Sequence, residues 1–380
     1  MSVPFLDLRG TWEELRTPLL RACAKVLSQG RYILGDEVAA LEREVAAYCG
    51  MNHGVAVGNG TDALTLSLRA LGVGPGDEVV TSPFTFFATV ESILQVGATP
   101  VFADVDPRGF TITPATVEPR ITARTKAILP VHIFGLMADM AGLRALADAY
   151  RLVVVEDACQ AIGATWRGFG IGHYGDAAAL SFFPTKNLGG YGDGGMILVH
   201  DAELAARLRR LRAHGSAIKY IHEEPGWNSR LDELQAALLR VKLAHLPAWT
   251  SARQALAARY DAGLAGLGLQ LPWVPAEANH VYHLYTVLVP DRTALQRFLA
   301  ERGIEAHVYY PLPMHLQPAL SGLGYRPGDF PVAERICQHA LSLPLYPGLT
   351  AAQQDEVMRG VRAFLHRRGA PSARAEKEGR

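Results

Sequence analysis

Apolar residues recur at helical spacing over residues 13–28, with Leu15, Leu19 and Leu20 on one face. They do so again over residues 36–49, with Val38, Leu41, Val45 and Tyr48. Between these stretches lies a glycine-bounded turn, Gly30-Arg31-Tyr32-Ile33-Leu34-Gly35. From residue 54 the pattern changes to short apolar runs that alternate with amphipathic ones. Runs at 54–58, 78–81, 100–103, 127–131, 152–155, 177–182 and 195–199 predict strands, and the spacing predicts helices over 62–71, 86–96 and 140–150. This alternation implies an α/β layer architecture, a mostly parallel sheet covered by helices.

A stretch almost free of proline, 232–267, reads as a long helix interrupted near Pro247. Beyond it the pattern predicts a strand at 281–289 and helices at 292–302 and 351–367. A chain of 380 residues exceeds one ordinary domain. The expected division is a large α/β domain with the N-terminal helices over 1–248, a smaller α+β domain over 249–368, and a disordered tail at 369–380.

Composition narrows the function classes. The 37 Lys and Arg cancel the 37 Asp and Glu, so no excess positive field favours nucleic acid or anionic lipid. The first residues show no basic segment followed by an apolar one, and no apolar run approaches the roughly 18 residues that span a bilayer, so a cytoplasmic location is expected. Cys23, Cys49, Cys159 and Cys337 are scattered, which indicates neither a disulfide framework nor a zinc site. His280 and His283 are spaced like metal ligands but have no third ligand nearby, so no metal is expected.

Two segments suggest specific chemistry. Asp157 closes the apolar run 152–155, and Lys186 follows the run 177–182 in the segment Ser181-Phe182-Phe183-Pro184-Thr185-Lys186-Asn187. An amine able to form a Schiff base and a carboxylate able to hold a pyridinium nitrogen are the protein's requirements for pyridoxal phosphate chemistry. Gly58-Asn59-Gly60-Thr61-Asp62 joins a strand to a helix and reads either as a phosphate cradle using the Thr61 and Asp62 amides or as a plain capped turn. Phe86, beyond a neighbouring strand, reads by itself as a core residue, although an aromatic there could stack on a flat ring.

Taken together, residues 58–64, 83–86, 156–160, 181–187 and 228–237 resemble the DegT/StrS family of pyridoxal-phosphate-dependent sugar aminotransferases, and the likeness runs from Phe5 to about residue 365. Segments 29–35 and 341–347 support it. The resemblance implies the aspartate-aminotransferase fold, pyridoxal 5'-phosphate as cofactor, and a homodimer with shared active sites. It implies that Lys186 carries the cofactor and shuttles a proton, Asp157 faces the ring nitrogen, Gln160 the ring hydroxyl, and Phe86 the ring. Gly60, Thr61, Asp62 and Ser181 would bind phosphate, with Asn228 reaching in from a second subunit. The implied reaction moves the amino group of L-glutamate to a nucleotide-linked keto-hexose, with a lean towards 3-keto sugars from segment 309–318.

Substrate candidates are Arg31, Tyr32, Arg230, His307, Tyr309 and Tyr310, with His315 as another histidine near that segment. Tyr309-Tyr310-Pro311 departs from the His-Tyr-Pro of many relatives. Alternatives are a 4-keto sugar or keto-cyclitol aminotransferase, a sugar dehydratase of the same fold, and a non-catalytic sensor. The dehydratase branch carries histidine in place of the lysine, and Lys186 stands against it.

Overall fold

A computed structural model describes residues 2–369. Its centre is a seven-stranded sheet of β1 (His53–Val57), β2 (Glu78–Thr81), β3 (Thr99–Phe102), β4 (Thr125–Leu129), β5 (Val153–Asp157), β6 (Ala177–Ser181) and β7 (Gly195–Val199). The spatial order is β1-β7-β6-β5-β4-β2-β3. β7 runs antiparallel to both β1 and β6, and every other pairing is parallel. Val79, Val80, Ile128, Leu129, Val154 and Val155 are fully buried, as a sheet covered on both faces requires.

The topology directs the site. Because β7 is reversed against both neighbours, β1 points the same way as β6, and the carboxyl ends of β1, β2, β4, β5 and β6 share one edge. Ligands of open α/β sheets bind beyond that edge. Here it carries the loop after β1, the loop after β2, Asp157 and Ser181.

The N-terminal helices are α1 (Arg9–Gln29) and α2 (Asp36–Cys49); α3 (Gly60–Ala70) and α4 (Phe87–Gln95) follow β1 and β2. The helix of the third crossover is α5 (Met140–Tyr150). Next come α6 (Ala202–Leu211), α7 (Glu233–Leu243) and α8 (Leu246–Leu264). The expected break in the long helix falls at Ala244 and His245, just before Pro247. Proline occupies the first turn of α8, where its missing N–H has no intrahelical acceptor to lose. α6 had no counterpart in the pattern reading, although Asp201 caps it by accepting from Leu204 N at 2.6 Å.

Beyond α8 the expected long strand is shorter, β8 (Tyr285–Leu288), paired antiparallel with β9 (Ala340–Leu343). A second buried cluster, including Tyr260, Tyr285, Leu299 and Val357, forms there. Val3 belongs to it: its N–H donates to Gly303 O at 2.8 Å, and it bridges Ile304. Apart from Gly369, the expected tail lies outside the described residues. No described helix is long and apolar enough to cross a membrane.

Candidate active site

A cavity of about 970 Å³ opens at the carboxyl edge of the sheet, and both Lys186 and Asp157 line it. Asp157 is 7% exposed. Thr89 Oγ1 donates to its Oδ2 at 2.7 Å and Cys159 N to its Oδ1 at 3.2 Å. Thr89 is itself in hydrogen-bond contact with Thr85 at 2.7 Å. The preceding carboxylate, Glu156, faces the other way, because neighbouring strand residues alternate between faces. It is fully buried, accepting from Gly172 N at 2.9 Å and Gly175 N at 2.8 Å. His132 Nε2 lies 2.9 Å from it, while His132 Nδ1 accepts from Ala138 N, which puts the ring proton on Nε2 and makes it the donor. Glu156 therefore braces the strand end, and Asp157 is the carboxylate presented to the cavity.

Lys186 sits in a tight loop: its N–H donates to Phe183 O at 2.8 Å, and Gly190 N donates to Phe182 O at 2.7 Å. A Cβ on Gly189 would lie 2.3 Å from Pro184 O, so only glycine allows this closure. Burial lowers the Lys186 amine pKa, against the opposing pull of Cys159 and Asp157. The shift favours a neutral, nucleophilic amine.

The start of α3 packs directly on the end of β6, since a Cβ on Gly60 would stand 2.9 Å from Ser181 Cβ. Asn59 is the cap, accepting from Asp62 N at 2.8 Å. The Asp62 amide, expected to face a phosphate, here donates to this cap. The Asp62 carboxylate accepts from Ser229 Oγ at 2.5 Å. The amides of Gly60 and Thr61, at the first two helical positions, have no intrahelical acceptor and lie beside Ser181 on the cavity lining. These groups fit a phosphate.

Phe86 is 57% exposed on the cavity wall, which overturns its reading as core; Phe84 fills the core instead. Phe86 precedes α4 in extended backbone and meets the Tyr310 ring at 6.1 Å. Gln160 accepts from Phe134 N at 2.7 Å and donates to Tyr310 Oη at 3.1 Å. The cavity mouth is aromatic: His307 stacks on Phe5 at 4.4 Å, with Tyr309 tilted against Phe5 at 6.0 Å. His315 is buried against Glu334 at 3.0 Å and does not line the cavity.

Four expected residues are not on the cavity wall of their own chain: Arg31, Tyr32, Asn228 and Arg230. Arg31 donates to Leu34 O at 2.7 Å within its own turn and lies 3.6 Å from Asp36. Asn228 is exposed, with its backbone bridged to Ala213. Residues that the pattern reading did not single out for this site also line the cavity, among them Thr85 and Arg253, and so does His283, which was considered only as a metal ligand. Thr85 stands one place before Phe86 and was within reach of that reading, whereas Arg253 carries no local signal. Among the described residues, no group of three or more His, Cys, Asp or Glu could hold a metal ion.

Comparison with known proteins agrees with this geometry. The profile of the DegT/DnrJ/EryC1/StrS aminotransferase family matches residues 14–362. The chain is 51% identical to a pleiotropic regulatory protein of Geobacillus stearothermophilus, over 96% of this chain and 99% of that one. It is 47% identical to a UDP-N-acetyl-3-dehydro-alpha-D-glucosamine 3-aminotransferase of Acidithiobacillus ferrooxidans, over 96% and 98%. The crystal structure of S. venezuelae DesV in complex with a ketimine intermediate superposes with a TM-score of 0.94 at 49% identity, covering 96% of this chain and 98% of that one. With the fold, the lysine–aspartate cavity and a match over nearly the whole length in agreement, the chain belongs to the DegT/DnrJ/EryC1/StrS aminotransferase family.

Proposed function

We propose that this aminotransferase transfers the amino group of L-glutamate to the C3 ketone of a nucleotide-linked hexose, working as a homodimer with pyridoxal phosphate as cofactor. Its family depends on that cofactor, which acts as an electron sink and carries the amino group between the two substrates. The observation that carries the reading is Lys186 and Asp157 lining one cavity at the carboxyl edge of the sheet.

Each side chain has a task that follows from its surroundings. Lys186 Nζ, whose pKa burial lowers, would hold the cofactor and then move a proton at the reacting carbon. The Asp157 carboxylate keeps a ring nitrogen protonated, and Thr89 orients it. The Gly60 and Thr61 amides with Ser181 would hold the phosphate, Phe86 would cover the ring, and Gln160 would meet its hydroxyl. The aromatic group of Phe5, His307 and Tyr309 at the mouth offers flat surface to a sugar or base. The Asn228 and Arg230 segment, and with it Arg31 and Tyr32, would serve the partner's cavity, consistent with their absence from their own.

The 3-keto assignment is supported by the A. ferrooxidans relative, whose name specifies a 3-dehydro sugar. A regulatory role is the second reading, suggested by the name of the G. stearothermophilus relative; the intact lysine and aspartate favour catalysis. The test is to incubate the holoenzyme with L-glutamate and 3-keto nucleotide sugars, 4-keto nucleotide sugars and a keto-cyclitol, and to weigh the products. Amination of a 3-keto sugar is expected. Amination of the other ketones alone overturns the C3 assignment, and none at all favours the regulatory reading.

A further inference from the structure

Arg253 of α8 is 5% exposed and lines the same cavity as Lys186. Its Nη1 donates to three backbone oxygens, those of Leu345 at 3.0 Å, Tyr282 at 3.2 Å and His283 at 3.4 Å. All three are neutral. Among the described residues no carboxylate stands within ion-pair distance of this guanidinium, whereas the similarly buried Arg212 is paired with Glu42. A buried charge without a counter-charge is unfavourable, so such a group is poised to take an anionic partner. Burial pushes the Arg253 pKa down to about 10, which leaves it cationic at neutral pH.

The remaining donors, on Nε and Nη2, have no protein acceptor among the described residues. A guanidinium edge of this kind matches a carboxylate through two parallel hydrogen bonds. Its position relative to the reacting centre follows from a short chain of contacts. Arg253 binds the His283 carbonyl, and His283 Nδ1 lies 3.2 Å from Asn187 Oδ1. Asn187 is the residue after Lys186, and its Nδ2 anchors it to Val281 O at 3.1 Å. The His283 ring is held neutral, because burial and the charges of Lys186 and Arg253 push its pKa well below the ordinary histidine value. The cationic edge of Arg253 therefore stands beside neutral groups, within a few side chains of the reacting amine.

We infer that Arg253 is the carboxylate anchor for the amino donor, so that an α-amino acid is bound by charge at the His283–Leu345 end of the cavity while its amine is presented at Lys186. This rests on the transaminase reading, which requires an amino donor. The aromatic mouth would then admit the sugar, and the cavity would have two ends of different chemistry.

Arg253→Lys keeps a cation and a donor for the backbone oxygens but loses the planar fork. Its test is the two half-reactions, measured separately in single turnover, together with calorimetric binding of 2-oxoglutarate to the holoenzyme. Expected are a rise of roughly 10- to 100-fold in the half-saturation concentration for L-glutamate and an equal weakening of 2-oxoglutarate binding. The half-reaction with the amino sugar nucleotide should stay within about threefold of the parent. An equal loss in both half-reactions would make Arg253 a brace between the backbone of 282–283 and Leu345 and overturn the proposal. Unchanged binding of 2-oxoglutarate would overturn it as well. Because the binding measurement needs no turnover, it decides the role of Arg253 even if the sugar substrate, and with it the proposed function, proves different.

Discussion

Replacing Asp157 by asparagine tests the electrostatic core of the site with little disturbance of its shape. The Asn oxygen can still accept from Cys159 N, as Oδ1 does at 3.2 Å. The new amide would donate to Thr89, whose hydroxyl can turn and donate to Thr85, since either oxygen of that 2.7 Å pair can be the donor. Thr85 lines the cavity and can donate into it. The hydrogen-bond chain simply reverses, so unfolding free energy should change by no more than about 1 kcal/mol.

Catalysis responds differently. A carboxylate at a hydrogen-bond distance of about 3 Å from a protonated ring nitrogen contributes about 5 kcal/mol at an effective dielectric constant of about 20. Losing half to all of that slows the reaction by about 10² to 10⁴. The assay is the single-turnover reaction of holoenzyme with L-glutamate, alongside urea unfolding. A folded variant that reacts within about tenfold of the parent would refute the role of Asp157. A stability loss above about 2 kcal/mol would refute the hydrogen-bond reversal.

Assembly and acid stability offer further tests. Lys186→Ala and Asn228→Ala proteins, each inactive, should regain part of the activity when their subunits are exchanged, because one hybrid site then holds both intact residues; no recovery after proven exchange would place the whole site in one chain. His280 accepts from Tyr282 N at 2.9 Å, and burial pushes its pKa down to about 3. Between that value and about 6.5 the unfolded chain binds the extra proton, so the contribution is fully present above about pH 6.5 and is lost below it at about 1.4 kcal/mol per pH unit. His280→Gln should flatten the fall in urea midpoint between about pH 4 and 7, and an unchanged slope would show that His280 is not buried neutral.

The local pattern determined most of the scaffold. Buried strands such as Val153–Asp157 and Gly195–Val199 announce themselves as apolar runs because a sheet covered on both faces tolerates little else. Asp157 was legible because it closes such a run and Lys186 because it follows another in a glycine-bounded loop, and the order of the motifs carried the family. What failed locally did so for physical reasons. Phe86 is apolar and reads as core, yet a cavity wall exposes it. Which residue caps α3 was not legible, because Asn59, Thr61 and Asp62 can all cap a helix and only the backbone path selects Asn59.

Other features arise only when distant segments meet. Glu233 closes the start of α2 by accepting from Gly35, Glu37 and Val38 N–H groups at 2.7 to 2.9 Å, across nearly two hundred residues. Val3 pairs with the backbone at 303–305, and Arg253 becomes a cavity cation only because α8 passes beneath the turn at 282–283 and Leu345. Periodicity reports which face of an element is buried, a property of neighbours a few residues apart. Which buried groups face each other, and which are left with an unmet charge, depends on contacts between residues far apart in the chain, and those the tertiary structure alone decides.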